Sequence, residues 1–259
     1  MKYILKDIII ISILFILILC YYFSIKERLE GFYNMELIPD KTEKIYDKFY
    51  SKIYDKLFYS DSKINFEITQ IKNNTFKMSE SKMKILDIGC GTGQHIYHLK
   101  NYNIIGLDQS NDMLQIARKK SPKVKFIKDN MNNSNIFDNN RFSHIMVLYF
   151  VIYYQNDLNK FLSNCYKWLD KNKYLIIHLV HPKKFDPILD PASPFPGFSL
   201  QKYSKKRITK SSVYFNNFIY ESNFNLHSDK TALFTETFKF KNKKKILLSY
   251  IDILVPSGL

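Results

Sequence analysis

Short apolar runs and amphipathic stretches alternate through the middle of this chain. Runs at 84–88, 104–107, 124–128, 143–149 and 174–180 predict strands. Stretches at 93–101, 111–120 and 156–170 predict helices between them, with Ser110, Asn111 and Asp112 placed to cap the second and Pro122 to close it. Strand and helix in strict alternation predict an α/β fold, a doubly wound and mainly parallel sheet. Ahead of it, 42–71 predicts a helix on which Tyr46, Tyr50 and Tyr54 share one face at four-residue spacing. Two readings of that stripe stand open: a packing surface, or a lid whose tyrosines close over a ligand. After His181-Pro182 the texture changes. The run Asp190-Pro191-Ala192-Ser193-Pro194-Phe195-Pro196-Gly197 predicts an irregular loop. Three strand-like runs, 213–221, 233–240 and 246–255, then predict an antiparallel meander, with the lysines of 239–245 at a charged hairpin tip.

The first residues obey a different pattern. Residues 8–23 are apolar throughout except for Ser12. At about 1.5 Å per residue a helix of that length falls somewhat short of the roughly 30 Å hydrocarbon core. Tyr3, Tyr21 and Tyr22 are placed for the interfaces, and Lys26 and Arg28 mark the far boundary. No small-x-small cleavage site follows, which favours an uncleaved anchor over a signal peptide. The lysines at 41, 44 and 48 favour a cytosolic remainder. The expected division is an N-terminal membrane anchor at 1–25, a linker at 26–41, a core at 42–182, and a loop plus meander at 183–259.

Charge narrows the function less than it first promises. The net charge is +15, which invites a nucleic-acid partner. The arginines are Arg28, Arg118, Arg141 and Arg207, and lysine supplies nearly all the rest. Bidentate phosphate and guanine contacts favour arginine, so a solvated lysine surface is the plainer reading and nucleic acid a poor partner. Cys20, Cys90 and Cys165 are scattered, without metal-ligand or disulfide spacing. No metal site is expected, and a reducing compartment is.

The chemistry concentrates at two strand ends. Lys84-Ile85-Leu86-Asp87-Ile88 runs into Gly89-Cys90-Gly91-Thr92-Gly93, and the next apolar run, Ile104 to Leu107, ends in Asp108. A glycine turn lets backbone approach a ligand closely. An acid at the tip of the following strand suits the ribose hydroxyls of an adenosine. Beyond the fourth and fifth strands, Leu148 to Tyr154 and His178 to Pro182 present an apolar, aromatic wall. His181 is the candidate general base there, imidazole titrating near neutrality; a histidine bonded to backbone at a strand end is the plainer alternative. Tyr149 is the candidate for orienting an acceptor or stacking on a cationic one, with core packing as its alternative.

Over residues 42–181 the chain resembles the class I S-adenosylmethionine-dependent methyltransferases, whose core is Rossmann-like. Asp87-x-Gly89-x-Gly91-x-Gly93 matches the family's first motif. A dehydrogenase would place its third glycine where Gln94 stands. Asp108-Gln109-Ser110-Asn111-Asp112-Met113-Leu114 follows the family's acid-x-Ser-x-x-Met-Leu run. Asp129, with Asn130 and Met131, matches the acid near the adenine amino group. Phe142-Ser143-His144-Ile145 matches the start of the fourth strand, with Ser143 where Asp is frequent. The resemblance implies S-adenosyl-L-methionine as cofactor. It implies Asp87 on the methionyl ammonium, Gly89, Gly91 and Gly93 against the sugar and amino-acid end, Asp108 on the ribose, Asp129 on the adenine amino group with Asn130 and Met131 beside it, and Gln109 and Met113 as further cofactor-binding residues.

More loosely, 213–256 resembles the three-strand insertion of the glycine N-methyltransferase-like branch, which roofs an acceptor site. No Asn/Asp-Pro-Pro-aromatic segment or Pro-Cys nucleophile is present, which favours a small-molecule, lipid or protein acceptor; the first expectation is a small or lipid-associated molecule at a membrane. The family's usual further helix and closing antiparallel pair have no counterpart before Leu259. That motivates a second expectation, a methyltransferase fold kept for binding without turnover. A protein or nucleic-acid methyltransferase is a third. The acceptor and the oligomeric state stay open.

Overall fold

The computed structural model describes residues 14–16, 35–38, 45–155, 157–181, 185–193, 198–227, 231–241 and 244–252. In chain order its strands and helices are β1 (Met35–Ile38), α1 (Lys48–Phe58), α2 (Asp61–Thr75), β2 (Lys84–Ile88), α3 (Gln94–Leu99), β3 (Asn103–Asp108), α4 (Asn111–Lys120), β4 (Lys125–Lys128), β5 (Phe142–Val147), α5 (Leu158–Trp168), β6 (Leu169–Ile177), β7 (Lys210–Tyr214), β8 (Phe218–Leu226), β9 (Thr231–Phe240) and β10 (Lys244–Asp252). Two five-stranded sheets organise them, β4-β3-β2-β5-β6 and β1-β10-β9-β8-β7.

The first sheet is parallel throughout, the doubly wound core that strand-helix alternation predicts. Its central strands are apolar on both faces because both faces are covered. Leu86, Ile88, Ile145 and Val147 pack with Phe161, Cys165 and Trp168 of α5. Ile85, Ile104 and Met146, on the other face, pack with Ile64, Ile68 and Ile71 of α2 and Ile96 and Leu99 of α3. Ser143, in the place where the family often has Asp, accepts a hydrogen bond from the Lys84 backbone N–H at 2.9 Å and so ties β5 to the start of β2. The last strand starts earlier than hydropathy indicates, at Leu169, with a break in register between Phe142 and His144.

Three expectations change. The helix expected over 42–71 is two helices, broken at Tyr59-Ser60, where α1 ends in extended backbone and Ser60 begins α2. Ser and Tyr are unremarkable inside a helix by pattern, so the break left no periodic trace. The meander has four antiparallel strands, because 213–221 is interrupted: the Phe215 N–H bonds the Phe218 carbonyl in a tight turn between β7 and β8. The expected linker contains a strand. Met35–Ile38 pairs in parallel with β10, Met35 opposite Lys244 and Ile38 opposite Leu247, so the roof is a five-stranded mixed sheet rather than a three-strand insertion.

The apolar run at 8–23 lies outside the described residues except for 14–16, which are helical and exposed. Among the described residues no helix is long and apolar enough to cross a membrane.

The two sheets meet through α1 and the segment after β5. Tyr50, Ile53 and Leu57 of α1 pack with Val213, Tyr220 and Phe238 of the roof. Phe150 and Phe185 pack edge to face at 5.6 Å between the core and Phe224 and Phe234 of the roof.

Candidate functional site

A cavity of about 290 Å³ lies between the C-terminal ends of the core strands, α1 and the roof. That is where a doubly wound sheet holds ligands, in the crevice beyond its strand ends.

The glycine turn forms the cavity's inner wall. Gly89, Gly91 and Gly93 all take left-handed backbone, with φ of 67°, 53° and 74°, which glycine tolerates at little steric cost. The space around them differs. A Cβ on Gly89 would stand 2.4 Å from Val151, and one on Gly93 2.9 Å from Ala117, whereas one on Gly91 would meet nothing within 4 Å. Gly89 and Gly91 line the cavity; Gly93 is a packing glycine against α4.

Two carboxylates flank the turn. Asp87 is 3% exposed and lines the cavity. Burial lifts its pKa to about 7, with the Asp108 charge adding to the rise and His95 opposing it. Asp108, at the tip of β3, accepts from the Gly91 N–H and the Ser110 N–H, each at 2.8 Å. Burial pushes its carboxyl upward, and those backbone donors resist the change. One side chain thereby fixes the glycine turn and the start of α4 together. Ser110 completes the joint: its Oγ accepts from the Met113 N–H as N-cap and donates to the Tyr46 carbonyl at 2.6 Å.

The other residues expected around the cofactor divide. Gln109, Met113, Asn130 and Met131 line the cavity. Asp129 does not; its carboxylate accepts from the Asn130 N–H at 2.7 Å and from the Asn133 side chain, closing the loop after β4. The neighbours it positions face the ligand space in its stead.

Tyr149 lines the cavity with a left-handed backbone, φ 53°. Its ring packs edge-on to His95 and His178, at 5.5 and 5.9 Å, with the Lys63 ammonium 4.5 Å from its centroid. Burial raises its phenol well above the ordinary range, so it stays a neutral donor. His181, the expected base, is exposed and lies apart from the cavity lining, its carbonyl accepting from the Phe185 N–H. The histidine that does reach the cavity is His95, on the first turn of α3, with Nε2 2.8 Å from Glu67 Oε2. The sequence signal for it was its place two residues after the glycine turn. Glu67, on α2, carried none.

The tyrosine stripe is part of this site. Tyr46, Tyr50 and Tyr54 line the cavity and pack against one another, with Tyr154 6.5 Å from Tyr46. Tyr50 also packs into the roof, so the stripe is a packing surface and a cavity wall at once. Burial drives all three phenols up. At the roof end Glu236, 3% exposed, accepts from the Tyr50 and Tyr220 hydroxyls at 2.6 and 2.7 Å. Sequence pattern gave Glu236 no distinction from any outward-facing strand acid. Among the described residues no group of His, Cys, Asp and Glu is arranged to hold a metal.

Comparison with known proteins agrees with the fold. Residues 85–172 match the family described as a methyltransferase domain. No curated protein matches the sequence significantly. Among solved structures, the fold is similar to that of S-adenosylmethionine-bound CalS10, an amino pentose methyltransferase from Micromonospora echinaspora, at 13% identity and TM-score 0.55 over 81% of this chain and 84% of that one. It is similar to the sugar N-methyltransferase KedS8 from a Streptoalloteichus species, at 16% identity and TM-score 0.56 over 85% and 83%. An S-adenosylmethionine-dependent methyltransferase from Clostridium acetobutylicum shares it at 16% identity and TM-score 0.54 over 83% of each chain.

Proposed function

We propose that the chain is a class I S-adenosylmethionine-dependent methyltransferase and that it methylates a small or lipid-associated acceptor bound beneath the roof sheet. The observation that carries this reading is the cavity's continuity, from the glycine turn and Asp108 to the aromatic wall and roof. A ligand on the turn has its far end next to whatever the roof encloses. The solved structures named above include enzymes described as acting on amino pentose and sugar nitrogen, which favours a small acceptor.

The residues present fit the cofactor. Gly91 leaves open the space a side chain would fill, Asp108 offers charged acceptors for two hydroxyls, and Asp87 offers one for an ammonium. When bound, the cofactor supplies an electrophilic methyl group on a sulfonium. The chain's own work is alignment. The turn fixes the nucleoside end, Tyr149 and Tyr154 hold the acceptor in line, and Phe150, Phe185 and Phe234 keep water out. Asp87 gains an ionised state when a cation arrives beside it.

We propose further that the apolar run at 8–23 anchors the chain to a membrane, and that the remainder, with the lysines at 41, 44 and 48, lies on the cytosolic side. Liposome flotation tests that: the full chain is expected to float and a chain lacking residues 1–34 to remain at the bottom. For the activity, methyl-tritiated S-adenosylmethionine is incubated with the full chain, host membranes and a small-molecule extract. Label in a small or lipid fraction is expected. Label confined to protein or nucleic acid refutes the acceptor class, and failure to bind S-adenosylmethionine at millimolar concentration refutes the whole reading.

A further inference from the structure

Residues 191–220 contain no aspartate or glutamate, while Lys202, Lys205, Lys206, Arg207 and Lys210 fall among them. The middle of that stretch, Ser199 to Lys210, is an ordered loop that leads into β7, the edge strand of the roof. We propose that this loop docks on an anionic lipid bilayer, with Leu200 and Tyr203 entering the headgroup layer and Lys202, Lys205 and Lys206 against the lipid phosphates. The inference goes beyond the methyl-transfer reading and does not depend on it.

The apolar tip is the first support. Leu200–Tyr203 forms a single 3-10 turn. Side chains three apart on such a turn eclipse, so Leu200 and Tyr203 stand on one side of it. Neither is covered: Leu200 is 38% exposed and Tyr203 75%. Nor is the tyrosine loose. Its ring stacks on Phe198, with centroids 5.2 Å apart and planes within 10°. Side-chain bonds close the loop behind it: Gln201 accepts from the Ile208 N–H at 2.8 Å, and the Ser204 hydroxyl donates to the Lys206 carbonyl at 2.6 Å. The tip therefore loses little conformational freedom on insertion.

Charge is the second support. Lys202, Lys205 and Lys206 are exposed, and among the described residues none of the three is in an ion pair. Beside an anionic leaflet each gains from the surface potential, and a tyrosine with a leucine supplies the apolar share of interfacial binding. Nucleic acid is the poorer occupant. Lysines bring point charges rather than the forked donors that phosphate and guanine favour, and an exposed leucine gains nothing from a phosphate backbone. The loop is also tied to the cavity's rim. The Ser199 hydroxyl donates to the Asp186 carboxylate, and Arg207 turns inward, its Nη2 donating to the Phe185 carbonyl at 3.0 Å. Phe185 and Asp186 both line the cavity. A bilayer met by Leu200 and Tyr203 thus borders the segment that walls the acceptor space.

Tyr203→Trp in the full chain tests this. An indole keeps the interfacial preference of a phenol, and the native Trp168 is fully buried, a fixed background measured on the unsubstituted chain. The protein is mixed with vesicles of brominated phosphatidylcholine, with or without about 30% phosphatidylglycerol, at about 0.1 M salt. Quenching of the added indole is expected in the anionic vesicles and about tenfold less in the neutral ones. Raising the salt to about 1 M, where screening acts beyond about 3 Å, is expected to relieve it. Lys202→Gln, Lys205→Gln and Lys206→Gln together are expected to abolish it while S-adenosylhomocysteine binds as before, since none of the three lines the cavity. No quenching in anionic vesicles overturns the proposal. So does equal quenching in both vesicles, or quenching that survives the triple substitution. Retention of an oligonucleotide in place of quenching, lost in the triple variant, makes the loop a nucleic-acid site and overturns it too. Should the triple variant fail to fold, the lipid and salt dependence of the Tyr203→Trp chain decides. Failure of S-adenosylhomocysteine to bind the unsubstituted chain refutes the methyl-transfer reading alone, since quenching is read without it.

Discussion

Three glycines with the same backbone hand do different work, and substitution separates them. Gly89→Ala puts a methyl 2.4 Å from Val151 on a left-handed residue and is expected to destabilise the fold by about 2–4 kcal/mol in urea melts. Gly91→Ala meets no neighbour. It is expected to cost only about 1 kcal/mol of stability while weakening S-adenosylmethionine binding at least about tenfold, because its methyl occupies the ligand's space. Equal stability losses in the two variants would refute the distinction. Asp108→Ala is expected to weaken cofactor binding more than Asp129→Ala, since only Asp108 lines the cavity; the opposite order in calorimetry would reverse the ribose assignment. Asp87 supplies a pH signature. In the folded, ligand-free protein it keeps its proton up to about 7, while in the unfolded chain it releases it near 4. Between those values the native state binds the extra proton, so stability falls as pH rises, by up to roughly 4 kcal/mol. Asp87→Asn is expected to flatten that slope and stabilise the ligand-free protein at pH 8 while loosening the cofactor. An unchanged slope between pH 5 and 8 would show that the carboxyl is not the cause. Asp87, Gly91, Asp108 and Tyr149 were legible in sequence because turn chemistry and strand ends are local properties. His181 stands apart from the cavity lining because being near a strand end in sequence does not set which way the chain turns after Ile177. Glu67 and Glu236 were illegible because their partners are brought by other elements.

At the scale of elements, α1 ties the site together. Its Asp55 accepts from the Thr92 hydroxyl at 2.5 Å and pairs with Lys120 at 2.5 Å, so the helix that carries Tyr50 and Tyr54 is fastened both to the glycine turn and to the end of α4. Both partners of the ion pair keep about a quarter of their side-chain exposure, so solvent screening holds its worth to about 1 kcal/mol. Asp55→Ala is expected to speed hydrogen exchange in α1, to leave α2 unchanged and to reduce cofactor affinity several-fold. Identical exchange in α1 would show the fastening to be idle. The core strands and the helices between them were read to within a few residues because burial on both faces leaves a strong apolar signature. The helix break at Tyr59-Ser60 and the turn at 215–217 were missed, since neither contains the glycine or proline that marks such points.

For the whole molecule, the cavity's place between two sheets makes its ligand a structural member. S-adenosylhomocysteine at about a hundred times its dissociation constant is expected to stabilise the protein by about 2.7 kcal/mol. If the cavity couples the sheets, calorimetric melting of the ligand-bound chain shifts upward as one transition; a shift confined to one of two transitions would show that the roof takes no part. Which acids line the cavity together was not legible, because separate elements bring them there. The pairing of Met35–Ile38 with β10 has a consequence in time. A ribosome releases the first of these strands roughly 200 residues before its partner, and pairing over such separation is slow. The crevice beside the glycine turn will therefore be complete while the nascent chain still lacks its ceiling, and the two walls of the cavity will be delivered at different times.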